Sequence, residues 1–181
     1  MNIWIILGLV LLFGFFVIAT YNGLIRLKNR VEEAKSDIDV QLKRRYELIP
    51  NLVNTVKGYA KHEKDLIEKV TKERAGLVSG TTTDKISASN QMAETLKSLF
   101  AVAENYPDLK ANASFLKLQE DLTDTQDKIM SAQRFYNGNV RDFNTKLQVF
   151  PTNMYAKSLG FHDYEFIETA EIEKSNVEVS F

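Results

Sequence analysis

Apolar and polar positions fall into two regimes along this chain. From Ile3 to Ala19 every residue is apolar or glycine, and the first charged side chain is Arg26. A helical stretch of about 20 apolar residues matches the ~30 Å hydrocarbon core of a bilayer. Residues 1–25 are therefore expected to form a transmembrane anchor. Beyond it the apolar residues recur every three or four positions, the period of amphipathic helices. Leu24, Leu27, Val31, Ala34, Ile38 and Leu42 predict a helix over about 22–46. Val53, Val56, Ala60, Ile67, Val70 and Leu77 predict one over 51–77, and Met92, Leu96, Leu99, Phe100 and Ala103 one over 86–104. Phe115, Leu118, Leu122, Ile129, Tyr136, Val140, Phe143 and Leu147 predict the longest, over 108–149, with a heptad-like seam that packs on neighbours at shallow angles.

The breaks between these segments differ in strength. Ser79-Gly80-Thr81-Thr82-Thr83-Asp84 is the strongest loop signal, and Asp84 is placed to cap the next helix. Asn105-Tyr106-Pro107-Asp108 marks another turn, with Pro107 suited to a first helical position. Pro50 admits two readings, a tight turn or a kink in one very long helix. The steps Ile38, Leu42, Arg45, Ile49, Leu52, Val56 and Tyr59 pass through it in phase, but a turn closes a bundle more easily and is preferred. After Pro151, Thr152–Leu159 reads as a two-turn helix that Gly160 closes. Residues 161–181 have no period and carry six acids from Asp163 on against the single base Lys174, so an acidic, mostly disordered tail is expected. The fold class is all-α: a transmembrane helix (1–25), an antiparallel, four-helix bundle of long amphipathic helices (26–160), and the tail (161–181).

Composition narrows the function. The net charge of −1 offers no global basic field for nucleic acid. The absence of cysteine excludes disulfides, thiol catalysis, thiolate metal sites and a lipoprotein anchor. Val17-Ile18-Ala19 fits a signal-peptide cleavage pattern, but no basic residue precedes the apolar run, which favours a permanent anchor. Arg26, Lys28 and Arg30 follow the span directly, where they meet lipid head groups and hold the bundle in the cytoplasm. The expected location is thus the cell membrane, single-pass.

Candidate chemistry is sparse. The two histidines, His62 and His162, have no Glu three residues before them, so the carboxylate–histidine pairs of di-metal bundles are missing. There is no glycine-rich phosphate loop and no nucleophile triad. No enzyme activity, cofactor or metal is expected. Asp37, Asp39, Lys43, Arg44 and Arg45 are candidates for a structural ion network across the bundle, the basic triplet alternatively for a docking patch. Asn51, Asn54, Asn137, Asn144, Asp37 and Gln41 lie in or beside the apolar stripes, where they fix helix register or line a ligand cleft. Val179 and Phe181 have the form of a C-terminus captured by strand addition in a PDZ-like domain.

Several strings go beyond periodicity. Tyr21-Asn22, Ser36-Asp37-Ile38-Asp39-Val40-Gln41-Leu42-Lys43-Arg44-Arg45, Leu48-Ile49-Pro50-Asn51-Leu52-Val53 and Val56-Lys57-Gly58-Tyr59-Ala60 with His62-Glu63 stand in the first half. Glu104-Asn105-Tyr106-Pro107-Asp108-Leu109-Lys110-Ala111, Phe115, Leu118-Gln119, Tyr136-Asn137, Asn144, Phe150-Pro151 and Gly160-Phe161 stand in the second. Together they resemble the LemA family of bacterial membrane proteins over nearly the whole chain. Lys35 and Gln133 depart from the family pattern without affecting the fold. The resemblance implies a mostly four-helix antiparallel bundle on a single-pass anchor, with the bundle in the cytoplasm. It carries over no catalytic residue and no agreed biochemical function, and one branch of the family is associated with magnetosome membranes. The expectation is a non-enzymatic, membrane-anchored scaffold or adaptor, with the lipid bilayer and an unidentified protein as partners, no nucleic acid, and room for a homo-oligomer. The alternatives are a ligand-sensing helical module and an envelope-facing protein whose C-terminus is captured.

Overall fold

One helix carries the chain from the apolar span to the far side of Pro50. In a computed structural model, which describes residues 3–168, α1 runs unbroken over Ile3–Tyr59. It is followed by α2 (Lys64–Glu73) with a 3-10 turn at Arg74–Leu77, α3 (Thr82–Ala103), the single turn α4 (Pro107–Lys110) and α5 (Ala113–Gln148). Two compact units are built from the described residues: 35–134 with 167–168 form the larger one, and 3–34 with 135–166 the smaller. All regular elements among the described residues are helical, as the periodicity predicts.

The larger unit is a bundle. Ile49, Leu52 and Val56 of α1, Ile67 and Val70 of α2, Met92, Leu96 and Leu99 of α3, and Phe115 and Leu122 of α5 form one buried cluster. The preferred turn at Pro50 is not formed. Proline lacks the N–H that would bond the carbonyl four residues earlier, which is that of Tyr46. Here Arg74 supplies the missing donor: its Nε bonds the Tyr46 carbonyl at 3.0 Å, and its guanidinium lies 3.6 Å from the Tyr46 ring centroid. With that carbonyl satisfied and Ile49 and Leu52 buried, the helix continues.

The reversal comes instead at residues 60–63, so the helix expected over 51–77 is split. The only local signal is Gly58 in the last turn of α1, and the reversing residues 60–63 hold no glycine or proline. A helix continuing past Ala60 would carry Ile67, Val70 and Leu77 away from the core, whereas turning back buries all three against it. Tyr106 ties this end by donating its hydroxyl to Glu63 at 2.9 Å. The loop before α3 matches its sequence signal. Thr81 and Asp84 form a reciprocal capping box, with Thr81 N–H on the Asp84 carboxylate at 2.9 Å and Asp84 N–H on Thr81 Oγ1 at 3.2 Å. The long helix expected from residue 108 starts at Ala113, because Asn112 caps it: its Oδ1 accepts from Phe115 N–H at 3.0 Å.

In the smaller unit the apolar span presents its side chains outward, and none of its most apolar 18-residue window is buried. It is long and apolar enough to cross a membrane. Burial begins with Thr20 and Leu24 and continues through Val31 and Ala34, and the same unit buries Tyr136, Val140, Phe143 and Leu147 of α5. The expected helix over 152–159 is two 3-10 turns, Thr152–Met154 and Lys157–Leu159, and Gly160 closes the second in the left-handed conformation (φ 82°). The expectation of a mostly disordered tail fails for residues 161–168. The stretch forms no regular element, but Phe161 and Tyr164 pack it into the smaller unit, because their rings have large apolar areas to bury. Val179 and Phe181 lie outside the described residues.

Candidate functional site

The polar core of the larger unit centres on Arg45. The helical period places it on the same stripe as Ile38, Leu42, Ile49 and Leu52, and it is 2% exposed. A buried guanidinium needs acceptors. Nη1 donates to Ser89 Oγ at 2.8 Å, to the Ser89 carbonyl at 3.3 Å, and to Gln126 Oε1. None of these acceptors is charged, and Nε is buried without a partner. Burial pushes the pKa of Arg45 down to about 10, so the side chain is still a cation at neutral pH. The cluster joins three helices: α1 brings the arginine, α3 the serine and α5 the glutamine. The cluster borders a groove of about 360 Å³, with Leu96, Phe100 and Leu122 on the apolar side and Lys97, Gln119 and Gln126 on the polar side. Such a groove can hold an amphipathic molecule that ends in an anion.

The other residues of the expected ion network face elsewhere and do not pair with one another. Asp39 is bonded to Lys85 of α3 at 2.8 Å. Arg44 reaches Asp121 and Asp124 of α5 at 3.8 and 3.4 Å, at partly exposed positions. Asp37 and Lys43 are exposed. The charges thus brace α1 individually against α3 and α5. Nor do the amides gather into one cleft. Asn51 and Asn54 are exposed, Asn137 is half-buried in the smaller unit, and Gln41 holds a buried Oε1 without a partner in the larger one. Ser89, Gln126 and the buried Gln133 carry no motif that marks them as site residues. Gln126 and Gln133 are one heptad apart beside the seam of α5, which is the only sequence trace of a polar layer.

A second basic feature of the larger unit lies where α1 hands over to α2. Lys57, Lys61 and Lys64 line a groove of about 520 Å³ floored by Ile67 and Thr71, with Glu68 at its edge.

In the smaller unit Asn144 does structural work of a different kind. Its Nδ2 donates to the Tyr164 carbonyl at 2.8 Å, and its Oδ1 accepts from Tyr164 N–H at 3.0 Å. One amide thereby substitutes for a strand partner. Tyr164 Oη donates to Glu32 at 2.6 Å, and burial together with that carboxylate raises the tyrosine pKa. Tyr136 Oη donates to the Glu165 carbonyl at 3.2 Å. Arg26, Lys28 and Arg30 are exposed on α1 just beyond the span. His62 and His162 are exposed as well, and no cluster of three metal-ligating side chains occurs among the described residues.

Residues 34–181 match the family described as LemA. Protein LemA of Metamycoplasma hominis is 28% identical over 93% of this chain and 78% of its own length. The magnetosome protein MamQ of Magnetospirillum gryphiswaldense is 20% identical over 81% of this chain, and MamQ 2 of Paramagnetospirillum magneticum 21% over 82%. The match spans 64% of each of these two magnetosome proteins. None of the names denotes a catalytic activity.

Proposed function

Since the chain belongs to the LemA family, we propose that it acts as a membrane-tethered helical scaffold and not as a catalyst. The observation that carries this reading is α1 itself. A span with no buried residue in its apolar window and the bundle's own core residues Leu42, Ile49 and Leu52 lie on one uninterrupted helix. The exposed Arg26, Lys28 and Arg30 favour retention of that flank, and hence the bundle, in the cytoplasm. The lysine groove at Lys57, Lys61 and Lys64 is the surface offered to a partner, and its charge suits an acidic protein segment.

The cysteine-free chain makes the topology test clean. A single cysteine at the exposed Ser79, probed in intact cells with a membrane-impermeant maleimide, should react only after lysis. Labelling in intact cells would place the bundle on the other side. Retention in the membrane fraction after alkaline carbonate washing tests the tether, and release would refute it. A photo-crosslinker at Lys61 should trap a protein that is lost when Lys57 and Lys64 are changed to Glu.

The groove at Arg45 supports a second reading, a ligand-sensing module, because an uncompensated buried cation stands at its border. Decanoate would then raise the melting temperature of the purified chain, and decanol would not.

A further inference from the structure

Several contacts in the smaller unit place the segment after α5 relative to the apolar span. Phe161 stacks edge-on against Tyr21 of α1 (5.6 Å between centroids) and against Phe143 of α5 (6.3 Å). Three residues later Tyr164 bonds Glu32 of α1 and Asn144 of α5, and Glu165 accepts from Tyr136. From residue 161 to residue 165 the chain therefore climbs α1 from Tyr21 toward Glu32, away from the span, while on α5 it passes from Phe143 back to Tyr136. So α5 runs antiparallel to α1 here, and its C-terminal end points toward the span. Phe143 stacks on both Phe161 (6.3 Å) and Tyr164 (5.3 Å), so it lies between the levels of Tyr21 and Glu32, and from there α5 continues five residues toward the span to Gln148, about 7.5 Å at 1.5 Å per residue. Residues 149–160 lie beyond that point, at the span-facing end of α5, and the chain leaves them at Phe161 against Tyr21, two residues past the apolar run.

What this segment exposes is not what water would favour. Phe150 is 78% exposed and Met154 75%, and Val149 and Leu159 are also open. Its backbone donors are largely satisfied from within. Asn153 and Ala156 N–H bond the carbonyls of Val149 and Thr152, Leu159 N–H those of Tyr155 and Ala156, and Phe161 N–H that of Ala156. An apolar surface on internally bonded backbone is what the boundary between head groups and acyl chains accepts. Lys157 is exposed on the same segment, and a lysine stem lies readily in apolar surroundings while its ammonium reaches the phosphates.

We infer that residues 149–160 are a second membrane contact, an interfacial foot whose Phe150 and Met154 enter the acyl region of the leaflet from which α1 emerges. The occupant of this surface is lipid because the surface is continuous with the exposed apolar span. The inference rests on the reading of α1 as a membrane tether. The foot and the span hold α1 at two points, so the helix is fixed in tilt and rotation as well as in depth.

Trp4 is the one tryptophan of the chain and sits in the span, which permits a test that separates the two readings. The full-length chain is reconstituted in phosphatidylcholine–phosphatidylglycerol vesicles whose acyl chains are brominated near the head-group end. The native protein reports Trp4, and the variants Trp4→Phe/Phe150→Trp and Trp4→Phe/Met154→Trp report the foot. Trp4→Phe/Leu116→Trp, at an exposed position of the larger unit, is the aqueous reference. The expected result is loss of emission and a blue shift at positions 4, 150 and 154, with position 116 unaffected. Quenching at position 4 but reference-like emission at both 150 and 154 would overturn the foot and leave the tether standing. Unquenched Trp4 would overturn both.

Discussion

Removal of Arg74 should harm the bundle only as long as Pro50 is there to need it. In the native chain the Tyr46 carbonyl has no donor at position 50, and Arg74 Nε fills the gap at 3.0 Å. Arg74→Met keeps an apolar stem of similar length but deletes the donor and the stack on Tyr46. Leaving a partly buried carbonyl without a partner costs about 1–2 kcal/mol. A cation over an aromatic ring at a half-exposed site contributes roughly 0.5–1 kcal/mol. The variant should therefore lose about 2 kcal/mol. In a Pro50→Ala background the new N–H reaches the Tyr46 carbonyl through the ordinary helical bond, so Arg74→Met should then cost only the stack, about 0.5–1 kcal/mol. The coupling between the two sites is the difference, about 1–1.5 kcal/mol.

The assay is urea unfolding of the full-length chain in mild detergent, followed by circular dichroism at the helical minimum for the native protein, both single variants and the double variant. Arg74→Lys is a useful fifth member, because an ammonium carries charge without the planar Nε–H geometry and should behave more like Met than like Arg. If the two substitutions add to within about 0.5 kcal/mol, as independent sites do, the proposed repair of the proline is wrong. In that case Ile49 and Leu52 alone carry the helix through.

Arg45→Met should be near neutral, within about 1 kcal/mol, since relief of a buried cation that no carboxylate compensates offsets the donor lost to Ser89 and Gln126, whereas Gln126→Leu should cost about 1–3 kcal/mol because it strips an acceptor and leaves the charge in place; a thermal melt of both would expose the reverse order. Asn144→Leu should lower stability by about 2 kcal/mol through the loss of two hydrogen bonds to the Tyr164 backbone, and amide exchange at Tyr164 should speed up with it. The bonds from Thr81 hold Asp84 below the ordinary carboxylate range, so the α3 cap contributes fully above the unfolded-state value near 3.8 and fades as the pH falls through the lower folded-state value. The melting temperatures of the native chain and Asp84→Asn should accordingly differ at pH 7 and converge on acidification; a constant gap would deny the carboxylate that role.

The hydrophobic period tells which face of each segment is buried, and that much was legible. It carried even the unexpected case: Arg45 falls in phase with Ile38, Leu42 and Ile49, so its burial follows from the same count that buries them, while its neighbours Lys43 and Arg44 fall out of phase and face outward. What the period cannot encode is where a donor comes from. Pro50 breaks a helix by local rules, and the group that cancels the break stands 24 positions later in a 3-10 turn whose own place depends on the reversal at residues 60–63. That reversal in turn has only Gly58 nearby, none of its own four residues being glycine or proline, and is settled by burial of Ile67, Val70 and Leu77. The same logic explains residues 161–168. Their composition reads as a solvated tail, yet Phe161 and Tyr164 meet aromatic and amide partners on two helices that are distant in sequence but adjacent in space. In this fold the faces are written locally and the joints are written in pairs: Tyr46 with Arg74, Arg45 with Gln126, Asn144 with Tyr164. Each joint places one polar group where its own segment offers no partner. Substitution at either member of a pair is therefore the most direct way to separate what packing alone would hold from what the polar contact adds.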